Sequence, residues 1–126
     1  MYVSGLAGDR FGVRNSGAVA VVDGVGLHAC EYMTRGFVLV TGTVSYNAGA
    51  GMTGGVLVLR NDNARFVNEH YLRAVELEAA DDEQIARLLT RHVELTGSVS
   101  SQELLANWGV ERARYLRFVP VTLPAA

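Results

Sequence analysis

Three short apolar runs recur along the first half of the chain at a constant spacing. They read AVAVV, FVLV and VLVL, and each directly follows one of three glycines that lie 19 residues apart, Gly17, Gly36 and Gly55. Short runs that are rich in β-branched residues and bounded by glycine favour strands over helices. A fixed period of this size predicts similar segments that stack on one another and run in the same direction.

The repeat extends into the segments between the predicted strands. Met33 and Met52 share one position of the 19-residue period, and Thr34 and Thr53 share the next. Glycine at the corners permits positive φ and close approach between neighbouring backbones. We therefore predict a parallel β-helix with one strand per coil and about three coils over residues 1–79. Its structural repeat positions are Gly17, Gly24, Gly26, Met33, Thr34, Gly36, Gly49, Gly51, Met52, Thr53 and Gly55.

Both faces of the predicted strands are apolar, so the sequence must assign one of them to the interior. The 19-residue period continues into Val75 and Leu77, whereas Glu76 and Glu78 fall in the opposite set. We therefore predict that the first set points inward; its strand members are Phe37, Leu39, Val56 and Val58. The second set then points outward, where the rest of the chain or a partner must cover it; it comprises Val38, Val40, Leu57 and Leu59.

Residues 80–126 carry a helical pattern instead. Acidic residues can cap a helix over 81–95, and we expect His92, on its apolar stripe, to be a packed core histidine. A capping-box pattern at Ser100 predicts a second short helix, and Tyr115–Val121 a final strand. We predict that this tail packs on residues 1–79, so that the chain forms a single structural domain overall.

Length and charge exclude several classes of function. The chain has 126 residues and a net charge of −2 without a basic cluster, so a nucleic-acid footprint is not expected. No apolar run reaches membrane-spanning length, and we expect neither membrane association nor a signal peptide. The single cysteine, Cys30, fits a reducing compartment, for which the cytoplasm is the default.

No motif predicts a catalytic, cofactor-binding or metal-binding residue. The segment from Gly49 to Gly54 matches the dinucleotide pattern G-x-G-x-x-G, but that pattern must open a helix, and here it leads into VLVL. His28, Cys30 and Glu31 lie close together, yet a structural zinc site normally needs four ligands. We therefore interpret Cys30 as a small buried residue and the glycines as a tight corner of the repeat.

Several long segments resemble the C-terminal glycine-repeat domain of the glutamate synthase large subunit. They are Gly5–Gly36, Asn47–Gly55, Arg73–Ala79, Arg91–Ser98, Leu104–Trp108 and Arg117–Val121. The resemblance implies that the β-helix is right-handed and that it supports catalytic domains that make glutamate from glutamine and 2-oxoglutarate. In that family the amidotransferase domain, the FMN and the iron–sulfur cluster belong to other segments, so the resemblance assigns this chain no active site and no cofactor of its own.

Two other interpretations and one expectation about assembly remain open. The chain could be a glycine-repeat subunit of a related multi-subunit oxidoreductase, of the N-methylglutamate synthase or formylmethanofuran dehydrogenase type, or a non-catalytic interaction module. Whichever holds, the Tyr2-to-Leu6 edge is predicted to carry unpaired backbone groups, because the repeat begins in the middle of a coil. We therefore expect self-association through that end, most simply as a dimer.

Overall fold

A six-stranded sheet forms the centre of the described chain. The computed structural model describes residues 2–6, 16–24, 30, 33–42 and 48–121. The strands are β1 (Tyr2–Leu6), β2 (Ser16–Gly24), β3 (Arg35–Val40), β4 (Val56–Arg60), β5 (Leu72–Val75) and β6 (Tyr115–Pro120), in the spatial order β1-β2-β3-β4-β6-β5. The helices are α1 (Ala79–Thr96), α2 (Val99–Ala106) and α3 (Trp108–Glu111), with 3₁₀ helices at Asn61–Phe66 and Arg112–Arg114. None of the described helices has the length and apolar character needed to cross a membrane.

The prediction that the three apolar runs lie side by side and run in the same direction is confirmed. Strands β1 to β4 are parallel neighbours, and the 19-residue spacing is kept where Phe37 lies opposite Val56. The register slips by one residue at an irregularity in β2, so Val21 lies opposite Leu39 and not Val40. An extra residue in one strand of a pair produces such a slip without changing strand direction.

The prediction of a parallel β-helix is wrong. The parallel series ends at β4, whose free edge pairs with β6 in the antiparallel direction, and β6 pairs antiparallel with β5. The result is a mixed open sheet with helices packed on it, which places the fold in the mixed α/β class. Outside this sheet the described residues form one isolated bridge, between Ala48 and Val67. The series of parallel strands does not continue after β4, because a 3₁₀ helix follows it. The next strand in the chain, Leu72–Val75, pairs with β6 and not with the edge of β4.

The assignment of the two strand faces is also reversed. The set that we expected to point outward, with Val38 and Leu57 among its members, is fully buried against Met33, Met52 and other residues of the connecting segments. The set that we expected to line the interior of a coil lies instead beneath the helices. Its centre comprises Val21, Leu39 and Val58, which pack on Ile85, Leu88, Leu89, Trp108 and Tyr115. Strands that are covered on both faces have continuous apolar sequences. The sequence alone therefore could not show which face packs on the helices and which packs on the connecting segments.

The helical tail forms at the predicted place with small shifts at its ends. Helix α1 is capped by Glu78, whose backbone N–H donates to Asp81 Oδ2 at 2.8 Å, and it ends at Gly97 with φ of 67°. Helix α2 is capped by Ser98 and not by Ser100. Strand β6 lies between β4 and β5, so the tail contributes directly to the sheet. The division of the chain at residues 79 and 80 stays a prediction.

An ion pair joins the start of α1 to the end of α3. Arg112 donates to both carboxylate oxygens of Asp82, from Nε at 3.0 Å and from Nη2 at 2.9 Å, and Trp108 Nε1 donates to Asp82 Oδ1 at 2.9 Å. The hydrogen bond from Arg112, followed by that from Trp108, holds the pKa of the Asp82 carboxyl below its ordinary value, although partial burial opposes the shift. The contact therefore stabilises the fold only while Asp82 is ionised.

Asp82→Asn is expected to lower the free energy of unfolding by about 1 kcal/mol at neutral pH, because the pair is partly exposed and solvent screens it. A carboxyl whose pKa is lowered by folding contributes stability above its unfolded pKa of about 4 and loses it as pH falls through the folded pKa. Urea unfolding at a series of pH values should show a constant difference from the wild type above about pH 5 that disappears in acid. Asp62→Asn, which affects the exposed pair with Arg60, is the matched control and should change stability by less than about 0.5 kcal/mol.

Candidate functional site

A group of buried and partly buried polar side chains lies at the carboxyl end of β2. Asp23 is two residues beyond the buried Val21 and projects from the same face of the sheet, toward the helices. There it meets His92 from the last turn of α1, and Ser98 and Ser101 from the start of α2. We call these residues, together with Thr41, the Asp23 cluster.

The carboxylate of Asp23 is the acceptor that the cluster shares. Thr41 Oγ1 donates to Asp23 Oδ1 at 3.2 Å and Ser101 Oγ donates to the same oxygen at 3.3 Å. Ser98 Oγ lies 3.5 Å from Oδ2, and His92 Nε2 lies 3.4 Å from Oδ1. These contacts bring together the ends of β2 and β3, the end of α1 and the start of α2.

Burial makes these contacts costly to lose. His92 and Ser101 are fully buried, and the Asp23 side chain is 19% exposed. A buried polar group that loses its partner carries its full desolvation penalty, whereas a satisfied one contributes only modestly to stability. The Asp23 cluster therefore connects the ends of β2 and β3 to α1 and α2, and removing Asp23 takes away the acceptor that Thr41 and Ser101 share.

The residue types of the Asp23 cluster are those of a hydrolase triad, but their arrangement is different. In a triad the imidazole stands between the hydroxyl and the acid, so that it can accept the hydroxyl proton. Here both serine hydroxyls and the imidazole approach the same carboxylate. A fully buried His92 is also closed to substrate. The arrangement supports joining of the strand ends to the helices and does not support nucleophilic catalysis.

An open cleft of about 440 Å³ lies beside the Asp23 cluster, between the ends of β2 to β4 and the α2–α3 region. Arg60, Glu103, Glu111 and Arg114 place charges of both signs around it. Tyr115 also lines the cleft and donates to the Thr41 carbonyl at 3.1 Å, and burial raises the pKa of its hydroxyl to about 12. Tyr115 is therefore a neutral hydrogen-bond donor that fixes the turn after β3.

The metal and nucleotide alternatives gain no support from the described residues. Within residues 2–6, 16–24, 30, 33–42 and 48–121, no three His, Cys, Asp or Glu side chains are grouped to hold a metal ion. His28 and Glu31 lie outside the described residues. Cys30 is fully buried with φ of 57°, and burial raises the pKa of its thiol to about 12. At Gly49 any side chain would overlap Leu72, so this corner is filled by the protein's own core.

The repeat positions occupy three kinds of site. Met33 and Met52 are fully buried in the core, and Thr34 and Thr53 are exposed. Positive φ values occur at several of the glycines, namely Gly17, Gly36, Gly49, Gly51 and Gly55. Gly24 is buried at the end of β2, and Gly26 lies outside the described residues.

Two glycines that do not have positive φ mark the tightest contacts between neighbouring segments. A Cβ on Gly54 would overlap the backbone oxygen of Thr34, and a Cβ on Gly42 would overlap that of Asp23. The N–H groups of Thr53 and Gly54 both donate to the Met33 carbonyl, at 3.0 and 3.3 Å. Glycine is required here because the preceding segment lies directly against the backbone.

Sequence reasoning missed the Asp23 cluster and placed its members separately. The sequence analysis predicts a buried His92 on the first helix and a helix start near Ser100, but nothing that connects them to Asp23. His92 is indeed buried, but beside an acid. The sequence did contain a signal for the cluster. His92 is a polar residue on an otherwise apolar helix stripe, and several serines follow it at the start of the next helix. Because buried polar groups need hydrogen-bond partners, this combination predicts a buried acceptor nearby.

Comparison with known proteins gives a consistent result along the chain. The model of the GXGXG motif family matches residues 1–121. Ferredoxin-dependent glutamate synthase 2 of Synechocystis sp. is 41% identical over 124 residues, covering 95% of this chain and 8% of that protein. The glutamate synthase (NADPH) large chain of Bacillus subtilis is 41% identical over 124 residues, covering 94% and 8%. The glutamate synthase (NADH) of Schizosaccharomyces pombe is 36% identical over 123 residues, covering 94% and 6%. The chain thus spans less than a tenth of the length of these relatives.

Proposed function

Because the chain belongs to the GXGXG motif family, we propose that it is the glycine-repeat support of a glutamate synthase-type enzyme. It packs against the amidotransferase and FMN domains and holds them at a fixed spacing for glutamate synthesis from glutamine and 2-oxoglutarate. This chain contributes no catalytic group. The FMN and the iron–sulfur cluster belong to the partner domains.

One observation carries this proposal. Nearly the whole chain aligns at 36–41% identity with enzymes whose names specify three different electron donors, ferredoxin, NADPH and NADH. A segment shared among enzymes with different donors serves a step common to all of them. Support of the glutamate-forming domains is such a role, whereas recognition of one particular donor is not.

The packing supports a mechanical role. Parallel strands β1 to β4 satisfy one another's backbone groups, and both sheet faces are covered by cores that include fully buried residues. Close packing resists deformation, which suits a part that fixes the distance between two reaction sites. Fixed spacing matters for the transfer of ammonia between those sites, because small misplacements cost rate heavily. The single buried cysteine supports a reducing compartment, the cytoplasm.

The proposal is tested by affinity purification of the tagged chain from its native cell, with identification of every polypeptide or covalently joined domain recovered. We expect a glutamine amidotransferase domain and an FMN domain in equal stoichiometry with the chain. Recovery of a molybdenum or tungsten enzyme would instead establish the second oxidoreductase type. Recovery of the chain alone would favour the free-standing interaction module.

Self-association is a separate part of the proposal. Strand β1 is at one end of the strand order, and within the described residues no strand lies beyond it. An open edge presents N–H and C=O groups to a strand of another chain. We expect the purified 126-residue chain to be a dimer in light scattering, because the β1 edges of two copies can pair. A monomer mass throughout a concentration series would contradict this part.

A further inference from the structure

A row of three apolar side chains crosses β2, β3 and β4 on the face that carries the helices. Val19 lies opposite Phe37, and Phe37 lies opposite Val56. Val19 is 36% exposed, and Phe37 and Val56 are half-buried. We call these three residues the exposed row.

The exposed row is where the cover provided by the helices ends. The next row along the strands comprises Val21, Leu39 and Val58, which are fully buried beneath α1. The two rows are two residues apart, or about 6.6 Å along each strand. Among the described residues, the helices cover this row only in part: Phe37 and Val56 pack at the border of the core that contains Leu39 and Val58, and Val19 is 36% exposed. Contiguous apolar surface of this kind marks an interaction site more often than an isolated exposed valine does.

A positively charged residue borders the exposed row. Arg35 precedes Phe37 by two residues, lies on the same face and is exposed. Its Nη2 is 3.9 Å from the position that a Cβ on Gly17 would occupy, so the guanidinium lies over a residue without a side chain. Guanidinium groups bind carboxylates in a bidentate geometry. A partner that fits this surface has an apolar patch bordered by a carboxylate.

The relatives indicate where such a partner would be found. In them the matching segment is only 6–8% of the protein, so a far larger body of chain is attached to it. We infer that the exposed row is the surface on which the catalytic part of the glutamate synthase-type enzyme docks, with a carboxylate opposite Arg35. The inference rests on the proposed function and adds the contact face to it.

Protection of a single introduced thiol tests this contact. Val19→Cys places a reactive thiol in the exposed row, and Val110→Cys, at a valine that is 77% exposed on α3, is the matched control. The native Cys30 does not interfere, because it is buried and burial raises the pKa of its thiol to about 12. The rate of maleimide labelling is measured for both variants in the isolated chain and in the assembly purified from the native cell.

We expect assembly to slow labelling at position 19 by about tenfold or more and to change labelling at position 110 by less than about twofold. A thiol cross-linker at position 19 should then join peptides of the catalytic part. Equal labelling at position 19 in both states would overturn the docking face while leaving the proposed function intact. A cross-link to a second copy of this chain would overturn the choice of occupant. Purification without any glutamate synthase part would overturn both proposals.

A charge reversal gives an independent reading if the introduced cysteine disturbs folding. Arg35→Glu is expected to weaken the assembly by about tenfold, because it removes the bidentate partner of a carboxylate and adds repulsion. Arg87→Glu, on the exposed side of α1, is the control and should leave the assembly within about twofold of wild type. Equal effects of the two reversals would contradict a specific contact at Arg35.

Discussion

Gly54→Ala is expected to lower the free energy of unfolding by about 3 kcal/mol, the upper end of the cost of forcing extra volume into a packed interior. The added Cβ would overlap the backbone oxygen of Thr34. That oxygen cannot move away cheaply, because the adjacent Met33 carbonyl is held by the N–H groups of Thr53 and Gly54. Urea unfolding, followed by circular dichroism, measures the change.

Gly109→Ala is the matched control for this substitution. Gly109 lies in α3, and a Cβ there would meet nothing within 4 Å. Because alanine favours a helix over glycine, we expect a gain of about 0.5 to 1 kcal/mol. The same chemical change should therefore have opposite signs at the two positions. A loss below about 0.5 kcal/mol for Gly54→Ala would show that the two segments are not in direct contact.

Asp23→Ala is the second large effect that we expect, a loss of about 3 kcal/mol. The substitution removes the acceptor of Thr41 and Ser101 and the neighbour of His92, and both Ser101 and His92 are fully buried. Buried donors left without an acceptor keep their desolvation cost, which is why breaking such a group costs more than the group contributes when intact.

Two further variants separate the lost acceptor from a general loss of packing. Asp23→Asn keeps an acceptor oxygen of similar shape and should cost clearly less than Asp23→Ala. Ser100→Ala removes an exposed hydroxyl at the edge of the Asp23 cluster and should change stability by less than about 0.5 kcal/mol. If Asp23→Ala is no worse than Ser100→Ala, the Asp23 cluster does not join the sheet to the helices.

The sequence predicted the local parts of the sheet well. Glycine before each apolar run and the 19-residue spacing were enough to predict the parallel pairing of Phe37 with Val56. The one-residue slip between β2 and β3 was hidden, because an irregularity changes hydrogen bonding without changing composition.

The global arrangement could not be predicted from the repeat. A period in the first 59 residues says nothing about which strand takes the free edge of the last repeat. That edge is occupied by β6, some 60 residues later in the chain, in the antiparallel direction. Long-range pairing of this kind depends on tertiary packing, which is why Val75 lies in a strand beside β6 and not beside β4, although Leu77 does pack on the same core as Phe37 and Val56.

The Asp23 cluster shows a second limit of sequence reasoning. Asp23 and Ser101 are 78 residues apart, and the predicted helix start near Ser100 was a sufficient local explanation for the serines there. Residues so far apart in the chain give no sequence signal that the hydroxyl of one donates to the carboxylate of the other. The family resemblance, in contrast, was carried by long segments spread over the chain, and the comparison with the GXGXG motif family confirms it.

The central proposal is that this chain supports chemistry that other domains perform. The most direct test is the amount of glutamate formed per glutamine hydrolysed in the assembly purified from the native cell, compared between the wild type and Gly54→Ala. At a urea concentration that unfolds the glycine-repeat part of the variant but not of the wild type, we expect glutamine hydrolysis and bound FMN to persist while the yield of glutamate per glutamine falls, because the two sites lose their fixed spacing. An unchanged yield in an assembly whose glycine-repeat part is unfolded would contradict the account.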